Sequence, residues 1–325
     1  MLARRARLFA DTTLVFNIGV ILWGAFVRAS GSGAGCGSHW PTCNGEVLPQ
    51  AASTKTLIEL THRATSGLAL LLVIATFFFV RRAFAAGHLA RRAAGWSVFF
   101  ILGEAALGAG LVLYEKVAHD TSHDRALWMS AHLVNTLFLL GALGLVSWAV
   151  RRPLSPVLAF GGRAAVLLLT AIGSMVLIGV TGAVAALGDT LFPARNLAEG
   201  LRQDLDPSAH LFVQLRVFHP FVASAGAVHL LIVAGTFARA ASAETRRFAT
   251  QVGFGAALQV AIGVINLLLA APVALQLVHL LVADLLWLAL IGLTASALSS
   301  PSAQAASSRQ TSHAHASTST ATTNT

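Results

Sequence analysis

Charge is scarce in this chain. Only 11% of its 325 residues are Asp, Glu, Lys or Arg, against 56% hydrophobic, which excludes a soluble domain and implies a polytopic membrane protein. Acidic residues number only 13, too few near any histidine cluster for a zinc or non-haem iron centre, which wants three or four converging ligands. Cysteine is limited to Cys36 and Cys43, with no C-x-x-C, so a quinone-coupled thiol oxidase built on two dithiols is a poor match. No cleavable leader is expected, since the first apolar run continues into an ordinary spanning helix. The net charge of +9 does not signal nucleic acid, because the basic residues follow topology.

What is present is a set of long apolar runs, beginning near Leu14, Ala64, Trp96, Leu127, Ala164, Val217, Phe248 and Val273. They predict an all-α integral membrane protein of eight transmembrane helices, arranged as two pseudo-symmetric four-helix bundles. Of the 22 Lys and Arg residues, 14 precede the first span, fill the even gaps or lie in the tail, mostly in short loops. Both termini are therefore expected in the cytoplasm, and the chain in a bacterial plasma membrane surrounded by lipid. The expected segments are a cytoplasmic N-terminus (1–13), a first bundle (14–150), a cytoplasmic linker (151–163), a second bundle (164–298) and a disordered Ser/Thr/Ala tail (299–325).

The bundles are related by a repeat of about 150 residues. Glu104-Ala-Ala-Leu-Gly108 matches Gln259-Val-Ala-Ile-Gly263, and Gly24-Ala-Phe-Val matches Gly182-Ala-Val-Ala. An even number of helices per unit makes the repeats parallel, so their sites face the same side. His62, His132, His219 and His279 recur near the starts of the second, fourth, sixth and eighth spans. An imidazole in lipid is costly unless partnered, and two at matched depth across a bundle can clamp a flat macrocycle from either side. Four separate histidines bonded to carbonyls would not account for the repetition. The loop His119-Asp-Thr-Ser-His123-Asp124 reads as wet, and His229 as a packed residue.

The halves differ beside their histidines. Glu59 stands three residues before His62, and Arg216 three before His219. On a continuous helix the i−3 residue shares the histidine's face, which sets a proton-handling carboxylate in one pocket and a cation suited to a propionate in the other. The competing reading of Glu59 is an acid at a helix N-terminus, pairing with the dipole. Cys36 and Cys43 sit in an outer Gly-rich loop where a disulfide persists, as a staple or as a redox pair.

The run Gly31-Ser-Gly-Ala-Gly-Cys-Gly…Trp40-Pro-Thr-Cys43, followed by Glu59-Leu-Thr-His-Arg63 and three further helix-start histidines, resembles haem A synthase. That family oxidises haem O to haem A for terminal oxidases, and the likeness covers about residues 14–298. It implies that His62 and His132 hold haem O as substrate, that His219 and His279 ligate a permanent haem b, and that Glu59 is catalytic. It further implies candidate propionate contacts at Arg28, Arg63 and Arg216. The implied partners are the haem O-producing enzyme and an electron acceptor that the residues do not specify. Two departures stand out: the loop from Leu187 lacks the second cysteine pair of some members, and Glu104 stands where an amide is expected. A di-haem transmembrane electron carrier, using the same four ligands without a catalytic carboxylate, is the alternative. A haem chaperone is a third reading.

Overall fold

The sequence folds, in a computed structural model that describes residues 1–50 and 52–300, into eight helices long and apolar enough to cross a membrane. They are α1 (Leu2–Ala29), α2 (Thr54–Ala83), α3 (Leu89–Leu113), α4 (His123–Ala149), α5 (Gly162–Leu191), a sixth span over Leu211–Phe237, α9 (Ala243–Leu268) and α10 (Val273–Leu298). The sixth span is split into α7 (Leu211–Arg216) and α8 (Phe218–Phe237), and a short α6 (Leu197–Asp204) precedes it. The break at Val217 has a local cause. Pro220 cannot donate to the carbonyl one turn back, but near the start of a new helix its missing N–H costs nothing.

Most helices begin earlier than the apolar runs suggest. The segment 1–13, expected as a separate terminus, forms the opening turns of α1 with Arg4, Arg5 and Arg7 included. The 151–163 linker is tied down, because β1 (Val157–Leu158) pairs antiparallel with β2 (Ser299–Ser300) beyond α10. The tail expectation from residue 301 onward, with His313 and His315, lies outside the described residues.

Each half closes on itself: α1 packs on α2, α2 on α3, α3 on α4 and α4 back on α1, while α5, α8, α9 and α10 form the second ring. The halves meet where α4 and α1 face α5 and α10. Lipid tails are as apolar as leucine, so close packing and hydrogen bonds must hold this seam rather than hydrophobic burial. The indole Nε1 of Trp287 donates to the carbonyl of Leu137 at 2.7 Å, crossing the seam. Gly141 makes room for that ring, since a Cβ there would stand 3.2 Å from the indole nitrogen. Leu140, Leu168, Leu230, Leu290 and Leu293 fill the surrounding space and are almost wholly buried.

At the end bearing the N-terminus, ion pairs cross between elements. Arg151 meets Asp11 at 2.7 Å, and Arg152 joins Glu244 of the second half at 2.6 Å while lying over the Trp148 ring. His88 caps α3 there: its Nδ1 accepts from Ala90 N, and its Nε2 faces the Arg152 carbonyl. Burial pushes the His88 imidazole below its ordinary pKa.

Candidate functional site

The four repeat histidines each lie within about three turns of the start of a span, at closely similar depth. Each backs onto a glycine of the span before it. A Cβ on Gly24 would stand 2.9 Å from His62 Cε1, one on Gly182 3.1 Å from His219 Cε1, one on Gly263 3.3 Å from His279 Cε1, and one on Gly108 4.0 Å from His132 Cε1. The motifs that reveal the repeat in sequence are therefore the ledges on which the imidazoles rest. At Gly24, Gly182 and Gly263 a larger residue would crowd the ring, whereas Gly108 leaves ordinary contact distance.

Within each half the two histidines stand on opposite helices of the ring, α2 and α4 in one and α8 and α10 in the other. His62 lies within electrostatic reach of His132 and Glu104, and His219 within reach of His279. Nδ1 is buried in His62, His132 and His279, although each residue as a whole stays partly exposed. That leaves Nε2 as the ring nitrogen available to a metal, although at His62 the Cε1–Nε2 edge also lies against Gly24. Two imidazoles per half, backed by glycine and presenting Nε2, fit a bis-histidine haem in each half.

The Nδ1 atoms have three kinds of environment. His132 Nδ1 lies 2.6 Å from Glu104 Oε2, and His219 Nδ1 lies 3.1 Å from the Thr181 hydroxyl. Among the described residues, Nδ1 of His62 and of His279 has no hydrogen-bond partner, and the approach of Glu104 to His132 is a charge contact rather than a hydrogen bond of ordinary angle. Gln259, the repeat mate of Glu104, instead donates from Nε2 to the backbone carbonyl of His279 at 3.0 Å. Thr181 was not legible in advance, because a threonine one residue before a repeat glycine carries no distinctive signal.

Glu59 is 3% exposed, and α2 extends back far enough to place it on the helix one turn before His62. Its carboxylate is turned to the outer loop: Oε2 accepts from Cys36 N at 2.8 Å, and Oε1 accepts from Arg63 Nε and Nη2 at 3.1 and 2.5 Å. Arg63 continues the chain of contacts, donating from Nη1 to the carbonyls of His39 and Thr42. Cys36 and Cys43 form a disulfide, and both are fully buried. The loop lies hard against α2, since a Cβ on Gly35 would fall 2.4 Å from the Lys55 carbonyl. Glu59 therefore joins the disulfide loop to the helix that carries His62.

The arginines diverge from what their positions suggest. Arg216 donates from Nε to Asp204, from Nη1 to Asp189 and the Phe192 carbonyl, and from Nη2 to the Gly200 carbonyl and Gln203. All five N–H directions thus meet protein acceptors. The break at Val217 also interrupts the i−3 relation to His219. Arg28 crosses between halves, donating to the Ala186 carbonyl at 2.6 Å, to Thr190 Oγ1 at 2.7 Å and to Gln276 Oε1 at 3.1 Å. His229 packs against Ser174 at 2.9 Å. In the wet loop Asp120 accepts from Ser122 and faces Lys116, which ties that loop to itself.

Eight spanning helices in two like halves define a multi-pass membrane protein, and the glycine-backed histidine pair in each half fits a haem. The chain belongs to the COX15-CtaA family, described as cytochrome oxidase assembly protein, whose model matches residues 7–291. A Thermus thermophilus protein named protoheme IX farnesyltransferase is 45% identical over 293 residues, which is 89% of this chain and 48% of that protein. The chain thus spans about half the length of that relative. Haem A synthases of Bacillus mycoides and Bacillus cereus are 40% identical over 98 residues, 30% of this chain and 32% of each relative.

Proposed function

We propose that this protein is a haem A synthase, oxidising a methyl group on the edge of haem O to a formyl group. The single observation that carries the reading is the fourfold histidine-on-glycine arrangement, two rings to each half. The family and the Bacillus relatives supply the reaction class. In this reading His62 and His132 hold the substrate haem and His219 and His279 hold a resident haem b, in the membrane with both termini on the cytoplasmic side. The resident haem supplies one-electron chemistry when bound.

This chain's own residues orient the substrate and handle protons. His62 on α2 and His132 on α4 would hold the macrocycle and so fix its orientation in the first half. Glu59 is the acid–base candidate on the His62 side, its carboxylate already poised by Arg63 and Cys36 N. The buried Cys36–Cys43 bond pins the loop that carries the Cys36 N–H, so the disulfide acts here as a staple.

The asymmetry between halves favours this reading over a di-haem carrier, because two permanent carriers need no buried carboxylate beside only one pair. The test is pigment extraction after expression of the full chain with a source of haem O. Haem A in the extract supports the synthase. Two haems of fixed stoichiometry with no haem A would establish the carrier.

A further inference from the structure

Glu104 is the one acid that the proposed chemistry does not use and that touches a repeat histidine. Its Oε2 lies 2.6 Å from His132 Nδ1, a close charge contact that falls outside hydrogen-bond angles, and among the described residues neither carboxylate oxygen makes a hydrogen bond. A carboxylate in the middle of a spanning helix costs several kcal/mol unless something answers it. Here the answer is the His132 ring. The second half has the same position filled differently: Gln259 stands four residues before its ledge glycine, as Glu104 does, yet it bonds the backbone of its histidine and leaves the ring alone. The same site in the repeat thus acts on a ring in one half and on a peptide group in the other.

We propose that Glu104 is a positioning residue that holds His132 with its proton on Nδ1 and its Nε2 free for iron, and that its charge makes the first-half haem harder to reduce than the second-half haem. This rests on reading the histidine pairs as haem ligands. A carboxylate behind a ligating imidazole fixes the tautomer and makes the ring a stronger electron donor. Hydrogen bonding to the axial ligand is one of the levers by which a protein sets a haem potential, and added negative charge favours the ferric state. Among the described residues His279 has no such partner, and the Thr181 hydroxyl beside His219 carries no charge, so a haem held in the second half would keep the higher potential. An electron released in the first half then runs downhill to the second.

The test is an anaerobic spectroelectrochemical titration of the full protein with haem O bound, so that no turnover occurs. His132→Ala and His279→Ala assign the two components. Glu104→Gln keeps an oxygen that can accept the Nδ1–H and removes only the charge. The first-half component should then move to higher potential by at least a tenfold change in the ferric-to-ferrous ratio, about 59 mV for one electron, with the second component still. Gln259→Glu should lower the second-half potential and serves if the first variant fails to load haem. First-half potential unchanged in Glu104→Gln, or second-half potential unchanged in Gln259→Glu, overturns the proposal. If His132→Ala leaves the first-half spectrum intact, it is the ligand reading that falls instead.

Discussion

Alanine at the four ledge glycines should produce a graded series whose order is set by the contact distances. Replacing a mid-helix glycine by alanine gains about 0.5–1 kcal/mol from reduced backbone freedom. Against this stands overpacking, typically about 1–3 kcal/mol when a new methyl forces its neighbour off its rotamer. At Gly24 the methyl would meet His62 Cε1 at 2.9 Å and Nε2 at 3.1 Å, so the ring must move and the net effect is a loss of about 1–2 kcal/mol. At Gly108 the nearest atom is His132 Cε1 at 4.0 Å, ordinary contact, so Gly108→Ala should be neutral or stabilising by up to about 1 kcal/mol. Gly182→Ala, at 3.1 Å, and Gly263→Ala, at 3.3 Å, fall between. Thermal unfolding in one detergent, with haem content measured for each half, reads both consequences. Gly24→Ala should disturb only the first-half haem and Gly182→Ala only the second. A Gly108 variant that costs as much as the Gly24 variant would refute the ledge argument, since no contact would explain it.

Glu59→Gln should lower haem A yield about 10²- to 10⁴-fold, normalised to second-half haem, if the carboxylate transfers protons; a fall no larger than the fall in folded protein would leave Glu59 as a loop anchor only. The amide would also set an N–H against either Cys36 N or Arg63, so looser protection of the outer loop in hydrogen exchange should accompany the loss. Replacing Cys36 and Cys43 together by Ser should cost about 2–3 kcal/mol for so short a loop, with activity and thermal stability falling in parallel; full activity at reduced stability would uncouple the loop from the site. His88 supplies a pH dependence. Burial lowers its folded pKa below the unfolded value of about 6.5, so its contribution is present above that pH, begins to fall there and is lost as pH drops through the lower folded pKa. His88→Asn keeps a capping oxygen without a titrating group, so its melting temperature should fall less between pH 7.5 and pH 5 than the parent's; identical slopes would remove His88 from the account.

The spans and the duplication were legible because lipid imposes a long apolar run on each helix, and because a repeated Gly-and-His pattern survives in linear order. Helix starts were less so. Arg4, Arg5 and Arg7 interrupt the apolar run, yet a charged turn at an interface remains helical, and Arg7 finds the Val150 carbonyl 143 residues away. The site divides in the same way. The histidines and Glu59 stood out by type and spacing, whereas Thr181 and the turning of Arg216 onto Asp189 and Asp204 depend on partners that only folding brings near. Glu104 is the instructive case: the sequence marked it as odd, and the reason became visible only when α3 and α4 were side by side.

Arg28 carries a consequence for how the protein is made. Its acceptors are Ala186, Thr190 and Gln276, so the last of them enters the membrane 248 residues after the guanidinium does. Until the eighth span arrives, the first half holds a cation at the end of its leading helix with part of its hydrogen-bonding unanswered. The order of insertion is thereby written into the fold: a chain halted before Gln276 contains every residue of the first histidine pair, yet it presents an incomplete seam to the machinery that culls unassembled membrane proteins.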